Sequence, residues 1–279
     1  MENNMVAKSK EIGLDALEME MRLGQLHCHI VGTSPMIMHR FSAKAQRELL
    51  MPSPKKNRAE KEASLKHDPI AEFRDSIYLN RDPSTPAAVH IPSNAFSAAL
   101  ANAALDVPGA TKSQLMRLTT VADTHINLFG VPKLFMAMTR SSDMGRTPDV
   151  RTRAIFPRWA CKVSINFVSS LLKEKQIANL LATAGLIIGI GDWRSQKGGS
   201  YGGFRIAGKD DPEYLEIVKS QGRKAQLSAI ENPVCYDADS EELMAWFETE
   251  IMKRERSVPS SKVGVPVLVK SGNGKGLEA

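Results

Sequence analysis

The residues best suited to holding a ligand lie between Gly189 and Arg205. Six glycines, at positions 189, 191, 198, 199, 202 and 203, fall in this stretch beside Arg194, Lys197, Arg205, Trp193 and Tyr201. Glycine admits positive φ and carries no Cβ, so main-chain N–H groups come close to a ligand. Successive N–H groups at such a turn form a nest for an anion. Cationic side chains add fixed charge, and the two rings offer faces on which bases stack. Gly191, Trp193, Arg194, Lys197, Gly198, Gly199 and Tyr201 are therefore candidates for contact with an anionic polymer. No Gly-Lys-Ser/Thr closes the loop, and it follows a helical pattern and precedes a strand, the reverse of a phosphate-binding P-loop or a dinucleotide fingerprint. A second reading stays open, in which the glycines let helix and strand pack closely.

A basic stripe forms the second candidate. Arg146, Arg151, Arg153, Arg158 and Lys162 stand against the single acid Asp149, and phosphate contacts made by such cations give salt-dependent affinity. The third is Ile91-Pro92-Ser93-Asn94-Ala95-Phe96, where a strand ends and a helix begins. Free N–H groups at a helix start attract phosphate, although an ordinary cap explains the same residues. Histidines are few. His27 and His29 share a strand face and His39 lies in the loop beyond, with no acidic or cysteine neighbour in sequence to complete a metal site. Cys28, Cys161 and Cys235 form no CxxC pair, so zinc is not expected. We expect no metal and no cofactor.

These residues need elements to position them. Leu26, Cys28 and Ile30 alternate with Gln25, His27 and His29, which predicts a strand buried on one face. Phe41 to Leu50 predicts a short helix, and 51–68, with Lys55, Lys56 and Arg58, a basic insertion or a solvated linker. Helices are expected over Pro69–Leu79, Ser93–Leu105, Leu171–Ile188 and Glu241–Arg254. Ala88–Ile91, Trp159–Phe167 and Phe204–Ile206 read as strands. Val121–Phe129 and Lys133–Thr139 read as a hairpin turning at Gly130-Val131-Pro132, and Ser141–Arg153 as a loop. The order predicts an α+β protein with an antiparallel sheet and helices on one face, of ferredoxin-like or RRM-like type. Its expected parts are an N-terminal extension (1–21), a core (22–256) with insertions at 51–68 and 141–153, and a flexible tail (257–279).

The 279 residues suit one large domain or one domain with an inserted lobe. The net charge of +6 favours an acidic polymer as partner. The longest apolar run, Ile177–Ile190, is interrupted by polar residues and glycines and is too short to span a bilayer, and reduced, scattered cysteines fit a cytoplasmic setting.

Taken in order, the strand from Gln25 with its glycine turn, the Ile91–Leu100 segment and the Gly189–Phe204 loop resemble the RAMP superfamily of CRISPR systems, and within it the backbone subunit that polymerises along a guide RNA. The resemblance spans about Gln25 to Ile206. It implies an RRM-like fold, binding of single-stranded RNA, self-association into a filament, companion subunits of an effector complex and a part in antiviral defence. It makes Arg40, Lys44, Arg153, Arg158 and Arg194 phosphate contacts, and the 52–68 segment a finger or thumb. Target-cleaving members of that branch carry an Asp after the first strand; no Asp occurs between Gly32 and His67, so cleavage by that route is not expected. Two alternatives remain. One is a metal-independent endoribonuclease using His27, His29 or His39 with Tyr201 or Lys197; the other is a single-strand DNA annealing protein. A self-assembling protein that binds no nucleic acid is the fourth reading.

Overall fold

Alternating apolar and polar residues build the centre of the protein. The computed structural model describes residues 21–41, 46–47, 50–51, 67–140 and 148–257. In it, the run around Cys28 and Ile30 is strand β1 (Leu23–Gly32). A short strand β2 (Met36–Met38), helix α1 (Pro69–Asp75), strand β3 (Val89–Pro92) and helices α2 (Ser93–Ala103) and α3 (Lys112–Leu118) follow. Five strands come next: β4 (Thr119–Val121), β5 (His125–Phe129), β6 (Lys133–Arg140), β7 (Pro148–Phe156) and β8 (Ala160–Val168). Helix α4 (Glu174–Thr183) runs into a π turn (Ala184–Ile188) and, through the glycine loop, to β9 (Phe204–Ala207). Helices α5 (Pro212–Ser220), α6 (Arg223–Glu231) and α7 (Ala238–Ser257) close the described chain.

The main sheet has the order β3-β5-β8-β1-β9, with β4 also paired to β8, and every pair is antiparallel. Strands β1, β5, β8 and β9, taken with α2 and α4, follow the βαββαβ path of a ferredoxin-like unit, with β1 between β8 and β9. This is the expected α+β class. Cys28, Ile30, Val163 and Ile165 are buried on one face, where α2 and α4 pack. On the other face, Val31, Phe129, Ala160 and Ala207 are covered by Tyr214 and Ile217 of α5. The rest of that face, with Gln25, His27 and Lys162, is exposed.

A second sheet, β2-β7-β6, is also antiparallel. It corrects two expectations. Val121–Phe129 and Lys133–Thr139 do not pair as a hairpin: β5 stays in the main sheet, while β6 pairs with β7. Gly130, at φ 145°, turns the chain between the sheets, and a Cβ there would stand 2.7 Å from the Arg158 carbonyl. The part of Ser141–Arg153 that is described is strand, not loop, because Thr152 and Ala154 alternate with Arg151, Arg153 and Ile155 across a half-buried sheet. The helix expected over Leu171–Ile188 begins later, at Glu174. There Gln176 accepts a hydrogen bond from the Lys173 N–H at 2.8 Å, while Ser170 serves the Arg22 N–H instead. The Phe41–Leu50 helix and the 51–68 insertion lie largely outside the described residues. Two units partition the chain, Met1–Glu241 and Glu242–Ala279, and α7 runs from the first into the second. No helix among the described residues is long and apolar enough to cross a membrane.

One side chain joins three elements. Gln226 of α6 is fully buried. Its oxygen accepts from the Ala88 and Val89 N–H groups at 2.7 and 3.3 Å, and its amide donates to the Leu128 and Gly130 carbonyls at 2.7 and 3.0 Å. Gln226→Leu leaves these groups unpaired in the interior. It is expected to lower stability by about 3 kcal/mol, measured as a shift in the urea midpoint at unchanged slope. An unshifted midpoint contradicts the bridging role.

His90 of β3 is buried with its Nδ1 lacking a hydrogen-bond partner. Its ring meets His125 at 4.2 Å and Tyr78 at 5.6 Å. Burial first, then the charges of His125 and Arg40, push its pKa down to about 4 from 6.5. The unfolded chain therefore binds this proton before the folded one does. The His90 contribution is intact above pH 6.5 and is lost as pH falls to 4, on the order of 3 kcal/mol in all. His90→Phe is expected to flatten stability against pH across that window, measured by denaturant titration; a curve as steep as the native one contradicts this assignment.

Candidate nucleic-acid interface

Two of the segments marked by sequence, the glycine loop and the start of α2, meet residues 36–39 around one cleft of about 290 Å³. Met36, Ile37 and Met38 of β2, with the Tyr78 ring, form part of its wall. Ile91, Pro92, Asn94 and Ala95 bring in the start of α2, and Gly191, Asp192 and Arg194 bring in the glycine loop. His39 sits at the opening, its ring 5.7 Å from that of Phe41, and Phe41 is 62% exposed. A smaller hollow of about 50 Å³ continues along α2 past Ala98 and Asn102.

The glycine loop reaches this place because its backbone packs on other backbone. The Thr33 N–H donates to the Gly203 carbonyl at 2.9 Å, the Gly202 N–H to Pro35 at 2.8 Å, and the Asp192 N–H to Ile37 at 2.9 Å. A Cβ on Gly202 would stand 1.7 Å from the Ile190 carbonyl oxygen, and one on Gly199 1.7 Å from that of Trp193. Close packing thus accounts for these glycines. The same bonds bear on the anion-nest expectation. The N–H groups of Gly189, Ile190, Asp192, Lys197, Gly198, Gly199, Tyr201 and Gly202 all donate to main-chain carbonyls. Those of Trp193 and Gly203 donate to the Asp192 carboxylate and the Ser34 hydroxyl. These amides are engaged within the fold, whereas the N–H groups of Gly191 and Arg194, at the cleft, make none of these bonds.

Asp192 organises the side chains around it. Its carboxylate forms an ion pair with Arg153, accepts from the Trp193 N–H at 3.0 Å, and lies 3.7 Å from His39 Nδ1. Trp193 itself holds a positive φ of 48°, and Arg153 lies 5.8 Å from its ring centre. Trp193 and Tyr201 both pack against Phe135, each at 6.2 Å, and neither lines the cleft. Their half-buried rings therefore serve the second sheet's core. The Arg194 guanidinium donates to the Gly191 carbonyl at 3.1 Å and to Gln196 at 3.2 Å. Burial, and then the Arg153 charge, lower the His39 pKa against the opposing pull of Asp192, with Arg151 adding to the depression. Arg40 acts likewise on His90.

The Arg146–Lys162 stripe does not exist as a continuous surface, because its members fall on two sheets. Arg151 and Arg153 share one face of β7, where Arg151 pairs with Asp149 at 3.0 Å. Arg158, on the turn into β8, is ion-paired with Glu216 of α5, and Lys162 lies on the exposed part of the main sheet. Arg205 is held by Asp211 and Glu213 at 2.7 and 2.8 Å. His27 bonds Ser164 at 2.9 Å, and His29 packs edge-on against Tyr214 at 4.8 Å, so of the three candidate histidines His39 alone lines the cleft. Lys197 is exposed on a 3-10 turn (Ser195–Lys197) that ends at Gly198. Lys44, Lys55, Lys56, Arg58 and Arg146 lie outside the described residues. Sequence reasoning passed over Tyr78, Phe41 and the methionines of β2. A strand as short as Met36–Met38 leaves no period to detect, although an exposed aromatic next to Arg40 was a usable signal.

No family model matches the chain, and no curated protein matches it. Among solved structures it is similar to a chain of the type III-B Cmr-beta assembly bound to cognate target RNA. That match has a TM-score of 0.36 and 12% identity, covering 70% of this chain and 61% of that one. It is also similar to Cmr6 from Pyrococcus furiosus, with a TM-score of 0.35 and 8% identity, covering 67% of this chain and 98% of that one. The chain thus spans less than two thirds of the Cmr-beta chain it matches.

Proposed function

We propose that the chain is a single-stranded RNA-binding protein that holds the strand across the cleft without cleaving it, and that it works within a CRISPR-type effector complex. The observation that carries the binding reading is the convergence of three distant segments on one cleft whose lining includes Arg194 and His39. Residues 36–39, the start of α2, and Arg194 with Asp192 come from stretches more than fifty residues apart in sequence. The polar, exposed part of the main sheet, with Lys162, Gln25 and His27, offers further contact to an extended strand. Polymerisation along a guide RNA and contact with companion subunits rest on the sequence resemblance to backbone subunits.

One observation favours a second reading, a metal-independent endoribonuclease. His39 stands at the cleft beside a carboxylate, and its lowered pKa leaves it neutral and able to take a proton near pH 7. Neither Tyr201 nor Lys197 lines the cleft to assist it.

Binding of labelled single-stranded RNA and of DNA of equal length, followed by fluorescence anisotropy over a salt series, tests the proposal. Affinity for RNA is expected to fall steeply with salt. Arg40→Glu and Arg194→Glu are each expected to weaken it about tenfold. Binding that is absent, or flat with salt and with both charge reversals, refutes it. The same RNA is expected to stay intact in EDTA; cleavage lost in His39→Ala would move the assignment to the nuclease. Preference for DNA would move it to strand annealing.

A further inference from the structure

The cleft is an unusual receptor for a phosphate. Its walls are largely apolar, made by Met36, Met38, Tyr78, Ile91, Pro92 and Ala95. Most of the loop amides are engaged within the fold, which leaves those of Gly191 and Arg194 at the cleft. The Arg194 guanidinium already serves Gly191 and Gln196. The acidic group at the cleft, Asp192, repels phosphate outright.

The same features suit a flat, apolar ring with hydrogen-bond donors on its edge. Two lone-pair directions of the Asp192 carboxylate are used by Arg153 and the Trp193 N–H, and a carboxylate has about four. The remaining directions accept two N–H groups side by side. The Asn94 side chain makes no hydrogen bond in the structure and lies exposed at the start of α2, lining the same cleft. Its amide both donates and accepts. At the opening, the tilted His39–Phe41 pair presents an exposed ring on which a neighbouring base stacks.

Resting on the RNA-binding reading above, we propose that this cleft is a nucleobase pocket that takes one unstacked base of the bound strand, with guanine the best match. Guanine alone among the four bases carries an N1–H and an N2–H₂ together on its Watson–Crick edge, the pair that an acceptor-only carboxylate takes. Its O6 then accepts from the Asn94 amide. Adenine presents a single donor group there, and cytosine and uracil leave the apolar walls part-filled. Sequence preference at one position follows, on top of the sequence-independent attraction of the surrounding cations.

The full chain is titrated with short oligouridines that differ by one central guanosine, adenosine or cytidine, and with the unsubstituted strand. The guanosine strand is expected to bind about tenfold more tightly than the others. Asn94→Ala, at an exposed and unbonded position, should reduce that ratio several-fold. Ala95→Met, which fills the cleft from α2, should bring it close to one. Equal binding of all four strands by the native chain overturns the pocket and leaves RNA binding standing. A guanosine preference that survives both substitutions in folded protein, as judged by circular dichroism, also overturns it. Absence of any RNA binding fells the functional reading and the pocket with it.

Discussion

Backbone lying directly on backbone, between the glycine loop and residues 33–37, is the constraint on which the site depends. Hydrogen bonds from Thr33, Gly202 and Asp192 fasten the loop to the link between the two sheets. Side chains at Gly199 or Gly202 would drive a carbon into a carbonyl oxygen at 1.7 Å. Gly185 faces the Phe204 carbonyl at 2.1 Å in the same sense, so the π turn too is pressed against β9. π turns in helices concentrate near functional sites, and this one sets the angle at which the loop leaves α4. The cleft is the gap left between that loop, β2 and the start of α2. Its shape is thus fixed by main chain, and only its lining by side chains.

Charge is arranged in the same economical way. Most of the arginines singled out by sequence do not face solvent alone: Arg158 and Arg205 are tied to acids around α5, and Arg151 to Asp149. Exposed pairs of this kind add little stability, on the order of 0 to 1 kcal/mol. Their effect is to localise the field. Burial first lowers the His39 and His90 pKa values, with Arg153 and Arg151 adding to it at His39, and His125 and Arg40 at His90.

What could be read from sequence follows from this division between side-chain pattern and main-chain contact. The α+β class and the strands around Cys28 and Val163 were legible because burial on one sheet face imposes alternation. The start of α2 was legible because Pro92 ends β3. The second sheet was not. Its strand β2 is three residues long, and β7 was masked by its arginines, which read as loop while in fact alternating with Thr152 and Ala154. The glycine loop was found in the right place for half the right reason. Its composition announces main chain in close contact, but composition alone does not say whether the contact is with a ligand or with the protein itself. Six glycines read as an anion nest, and the hydrogen bonds turn inward instead.

That inward turn changes what the site is able to discriminate. A nest of amides binds any phosphodiester alike, because phosphate carries no sequence information. With most of the amides engaged, the polar side chains at the cleft are Asp192, Asn94, Arg194, His39 and Tyr78, and a carboxylate among them opposes simple anion binding. A half-buried Arg153–Asp192 pair is a weak source of stability, since desolvation offsets much of its attraction. Its clearer physical consequence is orientation: the guanidinium and the Trp193 N–H fix the carboxylate toward the apolar walls. Attraction for a polyanion then lies with Arg40 and Arg151 outside, and selection with an acceptor inside. The two requirements are met by different residues held by one loop.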